Sequence, residues 1–176
     1  TTDFPVEQYY REARIHPIHE GTTGIHGLDL LGRKLLIHEG LGWKMLQKEL
    51  EMTIREAKSL TDLADLTHTF EKYCKEFTEG TAKILFKRNQ GPDYFLADAT
   101  LFLEGAGILC MGWMWLKQAI TAQRALEQGA KEQDFHLGKI ETARYTMEYE
   151  LVKLKGLLER FASTSYPSIA MKTEWF

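Results

Sequence analysis

Apolar residues return every third or fourth position along most of this chain, the spacing of helices that turn one face to a core. The clearest run is Leu63, Leu66, Phe70, Tyr73, Cys74, Phe77, Thr81, Ile84 and Leu85. It predicts a long helix, capped at Thr61 or Asp62. Upstream, Val6 to Arg14 reads as a short helix that ends before Pro17, because a residue preceding proline is pushed out of the helical region. His16 to Thr22 reads as a turn, and Thr22 or Thr23 is the expected cap of the next helix. Along that helix Ile25, Leu28, Leu31 and Leu35 recur, with Asp29 and Arg33 on the other side. Gly24, Gly27 and Gly32 lower its propensity but permit close approach of another backbone or a ligand. Gly40 and Gly42 then break the pattern before a helix from about Trp43 to Lys58.

Past the turn Lys87 to Pro92, two further helices are predicted, from about Asp93 to Gln128 and from Gln133 to Ala162. The second shows Ile140, Tyr145, Met147, Leu151, Leu154, Leu158 and Phe161 on its apolar side, and Ser163 to Phe176 reads as a tail containing Pro167. No strand-like alternation appears, there are only four prolines, and the long helices are joined by short connections. The expected fold class is therefore all-α, an antiparallel helical bundle.

With 176 residues, 44% of them hydrophobic, the chain is long enough to bury a real core. Its net charge of −3 is spread over intermixed acids and bases. With no basic stripe to track phosphates, nucleic acid is not an expected partner. Cys74 and Cys110 lie within apolar helical patterns and read as buried thiols of a reducing compartment. The first residues carry no secretory pattern. The apolar stretch Leu101 to Leu116 is interrupted by Glu104 and falls short of the ~18 residues of a membrane span, so it reads as a buried central helix. A cytoplasmic location follows as the expectation. The initial threonine suggests a segment of something longer.

One region asks for a chemical explanation. Arg14, His16, His19 and Glu20 gather beside glycine and threonine where a helix begins. Unpaired N–H groups at a helix start bind anionic or carbonyl oxygen, and a carboxylate held there suits a general base. On the residues alone the plainer reading, a loop carboxylate with surface histidines, is preferred. His16, His19 and Glu20 also suggest a metal, but Pro17 keeps them off a regular turn and no further ligand cluster follows. Trp43, Trp113 and Trp115 read as core or interface anchors. His136 and Arg144 read as a solvated or hydrogen-bonded face, the alternative being a contact with a partner domain.

The run Tyr10-Arg11-Glu12-Ala13-Arg14-Ile15-His16-Pro17-Ile18-His19-Glu20-Gly21-Thr22 strongly resembles the C-terminal signature of acyl-CoA dehydrogenases, in which a Tyr-Glu-Gly-Thr turn leads into a helix. Its continuation, Thr23 to Leu35, resembles the 3-methylmercaptopropionyl-CoA dehydrogenase-like subgroup, whose members carry an additional helical domain. Gly112 to Leu116 and Phe135 to Tyr145 fit that addition. The resemblance implies two parts. Residues 1–60 would be the end of the dehydrogenase's C-terminal helical domain, and residues 61–176 the added domain. It implies that Glu20 is the catalytic base, that Gly21 lies against the substrate thioester, and that Thr22, Thr23 and Gly24 touch FAD. It further implies an acyl-CoA substrate, an electron-transferring flavoprotein as acceptor, and a homodimer or tetramer. His19 departs from the usual tyrosine, which bears on local packing, acyl-chain fit and the proton affinity of Glu20.

The same resemblance places the central β domain outside these residues, so the segment alone is expected neither to hold FAD tightly nor to turn over. Two other functions stay open at this point. One is a non-catalytic interaction or oligomerisation module, and the other is a family member repurposed for another activity.

Overall fold

The computed structural model describes residues 4–16 and 22–176, and among these no strand occurs. The helices are α1 (Val6–Ala13), α2 (Thr23–Asp29), α3 (Ile37–Ala57), α4 (Ala64–Phe86), α5 (Pro92–Leu96), α6 (Ala99–Glu127), α7 (Gln133–Tyr145), α8 (Leu154–Ala162) and α9 (Pro167–Ala170). A π-helical turn, Leu30–Lys34, extends α2, and a second, Thr146–Glu150, links α7 to α8 through a short 3₁₀ turn. Short connections set successive long helices antiparallel. α6 lies at the centre, packed by α2, α3, α4, α7 and α8, while α4 also packs on α3 and α8.

A single hydrophobic cluster runs from Leu31 through Phe70, Phe77, Phe102 and Leu116 to Leu154 and Phe161. Phe77 is its hub, with ring centroids 5.5 Å from Phe102, 6.3 Å from Phe161 and 6.2 Å from Trp43. The apolar face expected for α4 is the buried one from Leu63 to Ile84, with Leu85 at its half-buried edge. All three flagged tryptophans pack against this cluster. The indole of Trp113 also donates to Thr53 Oγ1 at 2.8 Å, so this half-buried ring packs its apolar body while its N–H stays satisfied.

Gly27 shows why α2 tolerates a glycine. A Cβ there would stand 2.7 Å from the backbone oxygen of Ala99 and 2.9 Å from its carbonyl carbon. Backbone on both sides leaves no flexible side chain to give way. Gly27→Ala is therefore expected to destabilise by about 1–3 kcal/mol, the usual range for overpacking, measured as a lowered denaturant midpoint at unchanged slope. Further along, His38, Glu39 and Gly40 have φ of 50°, 56° and 76°, a left-handed turn inside α3. The long regular helix starts only after it, in line with the expected start near Trp43.

Four features depart from the pattern reading. The expected helix from Asp93 to Gln128 is two, because the chain turns at Ala97 and Asp98 before α6. Neither Thr61 nor Asp62 caps α4, which follows a 3₁₀ turn, Thr61–Leu63. Asp62 instead accepts a hydrogen bond from Gln123 on α6 at 2.8 Å. Ile25, Leu28 and Tyr145 are exposed. Tyr145, the last residue of α7, stacks on Tyr149 of the π turn, at 4.7 Å and 10° between planes. Residues 163–176 are not a plain tail, since they contain α9 and the buried Tyr166.

Asp98 occupies the start of α6, yet its carboxylate caps no amide there. It receives Arg160 of α8 at 2.8 Å and Lys87, from the end of α4, at 3.5 Å. Tyr166 closes the cluster, its ring centroid 5.0 Å from the Lys87 ammonium and 5.1 Å from the Arg160 guanidinium. The stretch Pro92–Glu127 contains a window long and apolar enough to cross a membrane by length and composition. The expectation that its apolar run is too short therefore does not hold on those grounds. Its Phe102, Leu109, Leu116 and Ile120 are buried in the cluster shared with the other helices, which is the central-helix role expected of it.

Candidate functional site

α1 precedes the Glu20 segment in the chain and α2 follows it. Arg11 on α1 pairs with Glu7 at 2.8 Å, one helical turn apart, and no α1 residue is buried. His19, Glu20 and Gly21 lie outside the described residues, so the positions expected for base and thioester contact are known here from sequence alone. The next three are described. Thr22 takes the N-cap position of α2, and its carbonyl accepts the His26 N–H at 3.0 Å. Thr23 and Gly24 form the exposed first turn, where backbone N–H groups have no partner within the helix.

Nothing lies within 4 Å of where a Gly24 Cβ would stand. A flat ring system could therefore approach this turn closely, with the Thr23 hydroxyl beside it. Behind the turn, Asp29 pairs with Arg33. The hydrogen bond from that guanidinium holds the Asp29 carboxyl below its usual range, so it stays ionised and tied to its own helix. It is not a competing base.

The other candidate chemistry is quiet. His16 is exposed at the end of α1, and no group of three or more metal-ligating side chains occurs among the described residues. Burial, with smaller contributions from Glu71 and Cys110, pushes the Cys74 thiol up to about 12, and burial also raises Cys110. Both therefore stay protonated and unreactive near neutrality. Cys74 lines a groove of about 590 Å³ between α3 and α4, with Leu50, Ile54 and Thr78, crossed by the Lys58–Glu71 pair at 2.7 Å. Its lining charges are of both signs and select no ligand. Arg144 reaches back to Glu141 at 3.3 Å, the hydrogen-bonded helix face expected of it.

An all-helical bundle, with α2 held on α6 by the close approach at Gly27, agrees with what comparison shows. Residues 46–172 match the family described as acetyl-CoA dehydrogenase C-terminal like. The chain is 31% identical over 160 residues to 3-methylmercaptopropionyl-CoA dehydrogenase of Ruegeria pomeroyi, covering 90% of the chain and 27% of that protein. It is 28% identical over 159 residues to the broad-specificity linear acyl-CoA dehydrogenase FadE5 of Mycobacterium tuberculosis, covering 81% of the chain and 25% of that protein. The chain thus spans about a quarter of the length of these relatives. It belongs to the acyl-CoA dehydrogenase family, as a helical C-terminal portion.

Proposed function

We propose that the protein containing this portion oxidises an acyl-CoA to the trans-2-enoyl-CoA, with Glu20 as the base. The observation carrying this reading is the Glu20-Gly21-Thr22 sequence immediately ahead of α2, in a chain whose likeness to a named acyl-CoA dehydrogenase covers 90% of its length. In this scheme Glu20 takes the α-proton, and the electrons of that C–H bond become the new carbon–carbon π bond as hydride leaves the β-carbon. A carboxylate moved out of water holds its proton more strongly and becomes a better base. Hydrogen bonds to the thioester oxygen stabilise the enolate-like charge.

FAD, when bound, supplies the two-electron acceptor for that hydride. Thr22, Thr23 and Gly24 would lie against it, the Thr23 hydroxyl and the first-turn amides offering hydrogen bonds and Gly24 offering clearance. Gly21 would pass close to the thioester. An electron-transferring flavoprotein as the onward acceptor, a homodimer or tetramer, and a cytoplasmic location belong to the same proposal. The 176 residues alone are proposed to be inactive, because they contribute only one wall of such a site.

The test is an anaerobic absorption spectrum of the intact protein mixed with saturated acyl-CoAs of graded length. Bleaching of the oxidised flavin band, with appearance of the enoyl-CoA, supports the reading. A protein that carries no flavin, or whose flavin is untouched by every thioester offered, turns the assignment toward an interaction module or a repurposed fold.

A further inference from the structure

Between α6 and α7 runs an open groove of about 360 Å³, lined principally by Met114, Lys117, Gln118, Phe135, His136 and Lys139. It holds three basic side chains, and no carboxylate is among its lining residues. Lys139 donates to Gln118 Oε1 at 3.2 Å, and its ammonium lies 5.3 Å from the Trp115 ring centroid and 5.4 Å from that of Phe135. Lys117 stands 5.3 Å from the Trp113 ring. Among the described residues neither lysine forms an ion pair. Gln118 spends its oxygen on Lys139, which leaves the amide N–H groups for a ligand.

Of the acids near these residues in sequence, Glu132 and Asp134 line an adjoining hollow that Phe135 also borders, and Glu141 pairs with Arg144 at 3.3 Å. Phe135 is 58% exposed and Met114 43%, so apolar surface lies open beside the cations.

We propose that this groove binds a nucleoside diphosphate, with the base against Phe135 and Met114 and the phosphates on Lys117, Lys139 and the Gln118 amide. Two ammonium groups and a neutral donor suit several negative charges better than one. The aromatic and thioether surfaces suit a planar ring. A fatty carboxylate would need a deep apolar channel, and an inorganic anion would leave the open Phe135 and Met114 surface unused. The volume is within the usual range for small-molecule sites. This proposal goes beyond the dehydrogenase reading. Lys117 lies about 27 Å along α6 from the Gly27 crossing, at 1.5 Å per residue.

The experiment is photolabelling of the intact protein with 8-azido-ADP, followed by peptide mapping. The expected result is label within residues 114–139, displaced by ADP. In the Lys117→Gln/Lys139→Gln variant, half-saturation is expected to move at least tenfold higher, since losing one charge-assisted hydrogen bond costs about tenfold or more. Unchanged far-UV circular dichroism and unchanged bleaching by acyl-CoA in that variant separate this site from the dehydrogenase reading. Label absent from residues 114–139, or undiminished in the variant, overturns the proposal. So does equal competition by adenosine or by inorganic phosphate alone, which would mean that only a ring or only an anion is recognised.

Discussion

Glu20→Gln in the intact protein is expected to leave flavin and acyl-CoA bound while slowing reductive bleaching by about 10²–10⁴-fold, the usual worth of a positioned general base. Glutamine keeps the shape and much of the hydrogen bonding of glutamate but cannot accept the α-proton. Binding and chemistry should therefore separate, with the spectral shift on adding acyl-CoA persisting and the decay of the oxidised band nearly stopping. Rapid mixing under anaerobic conditions reads both. Bleaching at the parental rate would remove Glu20 from the mechanism. Loss of flavin would assign the residue to building the site.

The second large effect is structural. Asp98→Ala is expected to destabilise the bundle by about 3–5 kcal/mol, because removing one partner of a buried ion pair strands the others. Lys87 is only 6% exposed and would be left with an uncompensated charge, while Arg160 would keep its bonds to Ser163 and Ser165. Since a domain's whole stability is about 5–15 kcal/mol, urea unfolding should show the loss plainly. Lys87→Met combined with Asp98→Leu should recover part of it, because an apolar pair of similar size replaces the ion pair without stranding a buried charge. If the double variant is as unstable as the single one, packing at the α5–α6 turn is the cause and the charges are not.

Much of the fold could be read from periodicity alone. Phe70, Tyr73, Cys74, Phe77, Thr81 and Ile84 keep a helical period, and all are buried on α4. The features that escaped are those where distant contacts or a change of helical phase decide. The turn at Asp98 is set by partners from α4 and α8, and nothing in the apolar pattern around it marks a stop. Asp62 has the residue type of a cap, but Gln123, from another helix, claims it. Tyr145 stands five residues after the buried Ile140 and two before the buried Met147, neither of them a helical spacing, so its apolar character and not its phase placed it on the core side.

The candidate site divides in the same way. The Glu20-Gly21-Thr22 run is contiguous in sequence and is identified by resemblance. The basic groove joins Lys117 to Lys139 across two helices, and no local motif announces it.

The contact of Gly27 with the Ala99 backbone has an evolutionary consequence. Since the obstacle is main chain, no substitution at residue 99 can make room for a side chain at residue 27. Lineages that keep this crossing should hold glycine there whatever happens around it. A lineage that loses the glycine must slide α2 along α6, and its first turn, Thr23 and Gly24, moves with it. Divergence within this group thus has a route through the shift of a whole helix, with no neighbouring side chain changed first.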